Sequence, residues 1–366
     1  MKKHILALCC LTFSLLPACL AQTGRIVRLG VMLPFQQGSA VSQESVEFYR
    51  GLMIAVDSLR KDGTSFRVYT YNTADTPIQT ILKDTIVPHL DVIFGPDDNQ
   101  QLRAISSLTA SFGVNVVSPF SSNCDAVNLN THFYALLPWA DVLDDNAAAL
   151  VGATFPKANL VLIDTKQVAH PYVAAAKGAA KKVRFLQMGF TQNQLASRLS
   201  KSKHNVLMLS SSDKESAMAV LNDLVLFRKA NPQYTISLIG YTEWLAWAQQ
   251  RSQDLHLLDA YLFSPYFRDA ANARNKEFEA RYRKNFSVGL QDAALSMAAY
   301  GFDCGYFFLK AMARHGRAYG GQDVYAAPLQ NGFKFRQFGS DGGFLNEKLM
   351  FIHHRTDGNR ELVEKN

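Results

Sequence analysis

From residue 25 onward the chain alternates short β-branched runs with amphipathic stretches in a regular beat, and that beat limits its fold more than any other feature. Arg25–Leu33 (R-I-V-R-L-G-V-M-L) is bounded by Gly24 and Pro34 and predicts a strand. After it, Val46, Tyr49, Leu52, Met53, Val56 and Leu59 recur at three- and four-residue spacing, which lays one apolar stripe along a helix that Gly63 ends. Phe66–Tyr71 predicts a strand, Ile78–Val87 a helix, and Asp91–Phe94 a strand running into Gly95-Pro96. Asn99–Phe112 predicts a helix, and Val114–Val117 a strand ending at Ser118-Pro119. Strand and helix in strict alternation specify an α/β fold with a parallel sheet covered by helices.

A second series starts after Pro138. Asn159–Ile163, Val183–Met188, Asn205–Leu209 and Thr235–Ile239 read as strands, and Ser216–Lys229, Asn272–Asn285 and Asp292–Arg314 as helices. The tail, Phe333–Val363, alternates and turns at Asp341-Gly342-Gly343 and Asp357-Gly358, the pattern of terminal strands. With 366 residues and neither a low-complexity linker nor a short repeat, the chain suits two intimately connected lobes.

The first residues are of another kind. Lys2 and Lys3 precede an apolar run from Ile5 to Leu16, too short for a bilayer core that needs about 20 residues, and small residues follow to Ala21. This predicts a secretory signal peptide over residues 1–21, cleaved after Ala21, and hence a periplasmic or exported protein. Leu16-Pro17-Ala18-Cys19 offers the alternative of a lipoprotein anchored at Cys19. Beyond the signal only Cys124 and Cys304 remain, either as a disulfide or as two buried thiols.

Charge and motifs bear on chemistry. There are 38 Lys+Arg against 31 Asp+Glu, a formal charge of +7, and the signal removes two lysines and no acid from that balance. Eight basic residues and no acid lie between Lys166 and Ser212. Such a run reads as a solvated face of one lobe or as a patch for an anionic envelope polymer, and no recognition motif for nucleic acid accompanies it. No G-x-S-x-G, G-x-x-x-x-G-K-[ST], H-E-x-x-H or C-x-x-C occurs beyond the signal, and His353-His354 on a strand would point to opposite faces. Nothing in the sequence calls for catalysis, a metal or a cofactor.

Open parallel sheets take ligands outside the carboxyl ends of their strands. Three such ends are notable: Pro34-Phe35-Gln36-Gln37, Gly95-Pro96-Asp97-Asp98-Asn99 before a helix, and Ser118-Pro119-Phe120-Ser121-Ser122-Asn123. Helix capping is the plain alternative for the two aspartates, and ordinary loop chemistry for the serines.

The runs F-Y-R-G-L-M-I-A-V-D-S-L (Phe48–Leu59), D-V-I-F-G-P (Asp91–Pro96) and G-V-N-V-V-S-P-F-S-S-N (Gly113–Asn123) resemble type I periplasmic binding proteins, whose familiar members are branched-chain amino acid receptors. I-G-Y-T-E-W (Ile239–Trp244), the segment Ala298–Met312 and G-G-F-L-N-E (Gly342–Glu347) are similar to an envelope branch often found with LysM modules. The resemblance implies two Rossmann-like lobes with parallel sheets and three hinge crossings, near Pro138, Ser264–Phe267 and Gly339–Gly343. It assigns 25–137 with 267–340 to one lobe and 138–266 with 341–366 to the other. It implies a non-enzymatic protein without cofactor, closing on a small polar ligand or peptidoglycan fragment, with an ABC transporter or envelope protein as partner. The alternative is an envelope interaction scaffold that kept the fold without a small ligand.

Carried over by position, the ligand groups fall on Phe35, Asp97, Asp98, Asn99, Phe120, Ser121 and Ser122 in the first lobe, and on Tyr172, Tyr241 and Glu243 in the second. Amino-acid receptors place small hydroxyl residues after Gly-Pro, whereas this chain has Asp97-Asp98-Asn99 there. Two carboxylates facing each other in a partly dry cleft repel, so the departure favours a cationic, amide-rich or sugar-like ligand over an ordinary amino acid.

Overall fold

The computed structural model describes residues 25–36, 38–165, 183–290 and 295–364. The predicted export segment and Tyr172 lie outside the described residues, as does the stretch of the basic run from Lys166 to Lys182. The described residues form two seven-stranded sheets, each with helices against it. The first sheet is built from β1 (Ile26–Leu33), β2 (Ser65–Asn72), β3 (Val92–Phe94), β4 (Asn115–Ser118), β5 (Phe133–Ala135), β11 (Phe335–Gln337) and β12 (Phe344–Asn346), in the order β11-β12-β5-β4-β3-β1-β2. The second contains β6 (Asn159–Asp164), β7 (Val183–Gln187), β8 (Asn205–Leu209), β9 (Ile236–Gly240), β10 (Ala260–Ser264), β13 (Met350–His354) and β14 (Arg360–Glu364), in the order β14-β13-β10-β9-β8-β6-β7. Both sheets are mostly parallel. Among the described residues, antiparallel pairing within the sheets enters only with the C-terminal strands, β11 on β12, β13 on β10 and β14 on β13.

Side-chain alternation decides which layer each residue joins. In the first sheet Val27, Leu29, Val31 and Leu33 of β1, Val92 and Phe94 of β3 and Tyr134 of β5 pack with Phe48, Leu52 and Val56 of helix α1 (Ala40–Lys61), and with the late helix Met297–His315. Met32, Ile93, Val116 and Phe133 turn the other way, towards Leu102 and Ile105 of α3 (Asn99–Thr109). The second sheet has one large core running from Val161 to Ile352.

The same alternation settles the cysteines. Cys304 belongs to the layer with α1 and Cys124 to the layer with α3, on opposite faces of the first sheet. Both are buried free thiols, the second of the two alternatives that the sequence left open.

Among the described residues, three links join the lobes. The first leaves the end of β5 and enters α4 (Ala140–Thr154), whose Val142 packs in the first lobe and whose Leu150 and Val151 pack in the second. The second leaves the end of β10, where Tyr266 bridges to Asn331 and the Phe267 N–H donates to the Gln330 carbonyl at 3.0 Å. The third is a correction to the sequence reading. Gly339–Gly343 is not a crossing but the turn between β11 and β12, closed by the Phe338 N–H on the Gly343 carbonyl at 2.8 Å. Because β12 pairs with β5, residues 341–346 belong to the first lobe and the chain crosses at 347–349.

These links fix where a cleft must be. β5 runs parallel to β4, β10 runs parallel to β9, β12 runs parallel to β5, and antiparallel β13 starts beside the last residue of β10 (Met350 opposite Ser264). Every crossing therefore joins the carboxyl edge of one sheet to the carboxyl edge of the other. The step from Asn346 to Met350 reaches at most about 14 Å, which keeps the two edges close where the chain crosses.

Candidate functional site

Three strand-end loops build the first-lobe side of the cleft. After β1 the Phe35 N–H donates to Asn72 Oδ1 at 2.8 Å and the Gln36 N–H to Ser42 Oγ at 2.8 Å, while Ser39 caps α1 by accepting from the Ser42 N–H. The Phe35 ring meets Tyr49 edge-on at 5.5 Å. An open cavity of about 590 Å³ lies here, lined by Phe35, Gln36, Gln43, Val46, Glu47 and Arg50 among others.

After β3 the chain turns at Gly95, which has φ +92°. A Cβ there would lie 2.2 Å from the Met32 carbonyl oxygen, so only glycine fits. The turn leaves Asp97 half-buried, and burial followed by the neighbouring charge of Asp98 raises its carboxyl above the usual range. Asp98 is an exposed helix cap, accepting from the Gln101 N–H at 2.9 Å. Asn99, also exposed, ties down the serine turn: its Oδ1 accepts from Ser121 Oγ and its Nδ2 donates to the Asn123 carbonyl at 3.5 Å. Phe120 packs at 5.1 Å from Phe48, and Tyr300 donates its hydroxyl to the Pro119 carbonyl at 2.7 Å. Ser121 is buried and Ser122 exposed.

On the second lobe Tyr241 is 2% exposed in the core and donates to the Leu209 carbonyl at 2.6 Å. Glu243 is exposed one turn further on, in a short helix over Thr242–Ala246. Its charge, with those of Asp145 and Asp141, adds to burial in pushing the Asp144 carboxyl of α4 up to about 7. At the ends of β6 and β8, Ser210 Oγ donates to Asp164 Oδ1 at 3.0 Å and accepts from the Thr165 N–H at 2.9 Å.

No family model matches the chain, and no curated protein matches it. Solved structures do. A structure described as a branched-chain amino acid ABC transporter from Rhodospirillum rubrum is 15% identical, with a TM-score of 0.59 over 93% of this chain and 100% of the other. Full-length LpoA from Haemophilus influenzae is 12% identical, with a TM-score of 0.58 over 93% of this chain. This chain spans 60% of the LpoA chain. Two seven-stranded, mostly parallel sheets joined three times along their carboxyl edges complete the comparison. The chain has the type I periplasmic-binding-protein fold.

Within that fold the residues expected at the site do different things. Phe35 and Asp97 stand at the first-lobe strand ends with their chemistry uncommitted to a cap. Asp98 caps a helix, Asn99 and Ser121 hold one another, and Tyr241 is a core residue whose hydroxyl serves a backbone carbonyl. Asp144 and the Asp164–Thr165–Ser210 group were not expected. The carboxyl-end rule applied to β6 and β8 points to the latter, and the acid-rich start of α4 (A-D-V-L-D-D) to the former.

One buried trio has the residue types of a hydrolase. Ser237 Oγ lies 2.8 Å from His204 Nε2 and donates to Asp259 Oδ2 at 2.6 Å. It is fully buried near the start of β9, at the edge away from the cleft, and its proton points at the carboxylate. It cannot present a nucleophile to substrate.

The raised Asp144 carboxyl has a sign. The folded protein keeps a proton that the unfolded chain gives up near pH 4, so stability falls as pH rises from about 4 to about 7. Asp144→Asn should be more stable than the parent at pH 8, and the gap should be smaller at pH 5 and close near pH 4. Urea denaturation at both pH values checks this, and an equal difference at pH 5 and pH 8 would refute it.

Proposed function

We propose that this is an exported, non-enzymatic solute-binding protein that holds a small polar ligand or envelope fragment between its lobes. The observation that carries the reading is the set of three links joining carboxyl edges, because it turns the strand-end loops of both lobes toward one cleft. Within it the first lobe contributes Phe35, half-buried Asp97 and an open cavity. The second contributes Glu243 beside Asp144. Carboxylates on both sides favour a cationic or amide-bearing solute, whose charge or N–H groups they can meet. The two-lobed fold suits a hinge motion in which ligand favours the closed state.

The export reading rests on Lys2, Lys3 and the apolar run Ile5–Leu16. No helix among the described residues is long and apolar enough to cross a membrane. A periplasmic location would make an ABC transporter or an envelope protein the natural partner.

Thermal-shift and calorimetric screening of polyamines, amino-acid amides, sugars and muropeptides tests the reading. A true ligand at 100 times its dissociation constant should add about 2.7 kcal/mol of stability. Asp97→Ala should weaken that ligand about tenfold or more while the protein stays folded. A hit that Asp97→Ala leaves unchanged would remove the cleft assignment. A complete screen without stabilisation would favour the envelope-scaffold alternative.

A further inference from the structure

The third link has unfilled space on both of its flanks. Lys348, in the middle of the crossing, lines a cavity of about 180 Å³ on one side and another of about 150 Å³ on the other. The larger cavity draws its walls from both lobes. Phe307, Val324 and Phe333 come from the first lobe, Met350 and Glu364 from β13 and β14 of the second, and Lys348 from the link itself. Apolar side chains share its lining with polar ones, among them the ion pair from Lys348 Nζ to Glu364 Oε2 at 2.6 Å. The remaining charged group on the wall, Asp303, has both oxygens engaged by backbone N–H groups of Leu329, Gln330 and Asn331.

We propose that this cavity is a second small-molecule site, outside the strand-end cleft, taking an amino-acid-sized zwitterion with an apolar side chain. The size suits it, since about 180 Å³ exceeds the roughly 150 Å³ that holds a benzene ring, and Phe307, Val324, Phe333 and Met350 offer apolar contact. The charges suit it as well. A zwitterion inserting at the rim gives its carboxylate to Lys348 and its ammonium to Glu364, so neither protein charge is left uncompensated. A molecule with a single charge would satisfy one and strand the other. Because the walls belong to different lobes, the volume depends on the lobe angle. A molecule seated here therefore favours some angles over others, and so couples to whatever the cleft binds.

Binding of L-phenylalanine to the full protein, followed by saturation-transfer NMR and calorimetry, tests the proposal. L-Phenylalanine should bind, and benzoate and benzylamine more weakly. Lys348→Met should raise its dissociation constant by about tenfold or more, the loss of a charge-assisted contact, while Val324→Trp should abolish binding by filling the cavity. Asp97→Ala should leave it unchanged. Small-angle scattering should register a change in radius of gyration on adding L-phenylalanine that Lys348→Met does not show. If Val324→Trp fails to fold, Lys348→Met at the rim carries the test alone. The proposal is overturned by no binding at millimolar L-phenylalanine, by benzoate binding as well as the zwitterion, or by loss of binding in Asp97→Ala with Lys348→Met unaffected. The last result would place the molecule in the main cleft.

Discussion

Gly301→Val is expected to cost at least about 3 kcal/mol in urea denaturation, enough to leave little folded protein at 37 °C. The reason is a helix crossing without side chains at its centre. Helix α1 and the late helix Met297–His315 approach until a Cβ on Gly301 would lie 2.0 Å from the Phe48 carbonyl oxygen, and one on Gly51 1.8 Å from that of Ala298. The obstructing atoms are backbone, so no rotamer change relieves the overlap and the helices must part. Parting them exposes the layer of Phe48, Leu52, Val56, Phe308 and Met312 that covers one face of the first sheet. Gly152 supplies the control. It lies in α4 with nothing within 4 Å of its would-be Cβ, so Gly152→Ala should stabilise by about 0.5–1 kcal/mol through helix propensity alone. Equal effects at the two positions would show that the crossing is not as tight as described.

Asp303→Ala should rank close behind, again at about 3 kcal/mol or more. The Asp303 carboxylate receives the amide N–H groups of Leu329, Gln330 and Asn331 at 2.7, 2.8 and 2.7 Å, all buried. Truncation leaves three donors without a partner, each at a cost of about 1–3 kcal/mol. Asp303→Asn should be milder, because one amide oxygen still accepts while the NH2 group faces a donor. Burial pushes the Asp303 carboxyl up to about 7, although the three amides pull the other way. The segment it clamps also receives the second link, through Phe267 on Gln330 and Tyr266 on Asn331. Faster amide hydrogen exchange at Phe267 and at 329–331 in Asp303→Asn, ahead of global unfolding, is the readout specific to a clamp. Unchanged exchange there would reduce Asp303 to an ordinary buried acid.

Much of this architecture was readable in advance because local chemistry and global layout agree. The α1 stripe, the cap at Asp98, and the turns at Gly342-Gly343 and Asp357-Gly358 all lie where residue type puts them. The misses have physical causes. Phe133–Ala135 is only three residues long, and Ala260–Ser264 is buried on both faces, so neither strand shows the alternation that marks a half-exposed strand. Ile78–Val87 shortened to a helix over Ile78–Ile81 and a 3₁₀ turn at Val87–His89, where Pro88 cannot continue the ladder. Gly339–Gly343 announces a turn, but glycine does not say whether the chain returns to its own sheet or leaves it. Residue type placed the three candidate loops at strand ends, where they lie, without distinguishing Asp97 from the capping Asp98. That difference depends on which carboxylate meets the helix N–H, a matter of tertiary geometry.

The distance along the chain between α1 and its partner helix has a consequence for how the molecule forms. The first lobe cannot close until a helix beginning at Met297 reaches one beginning at Ala40, and its sheet is not finished until Asn346 arrives. The strands β6 to β10 of the second lobe, by contrast, are contiguous in sequence and await only the final hairpin. As the chain emerges from its N-terminus, the part made first is thus completed late, with its apolar layers uncovered in the meantime. A lobe wired in this way stays open to premature association until residues 297–346 are in hand.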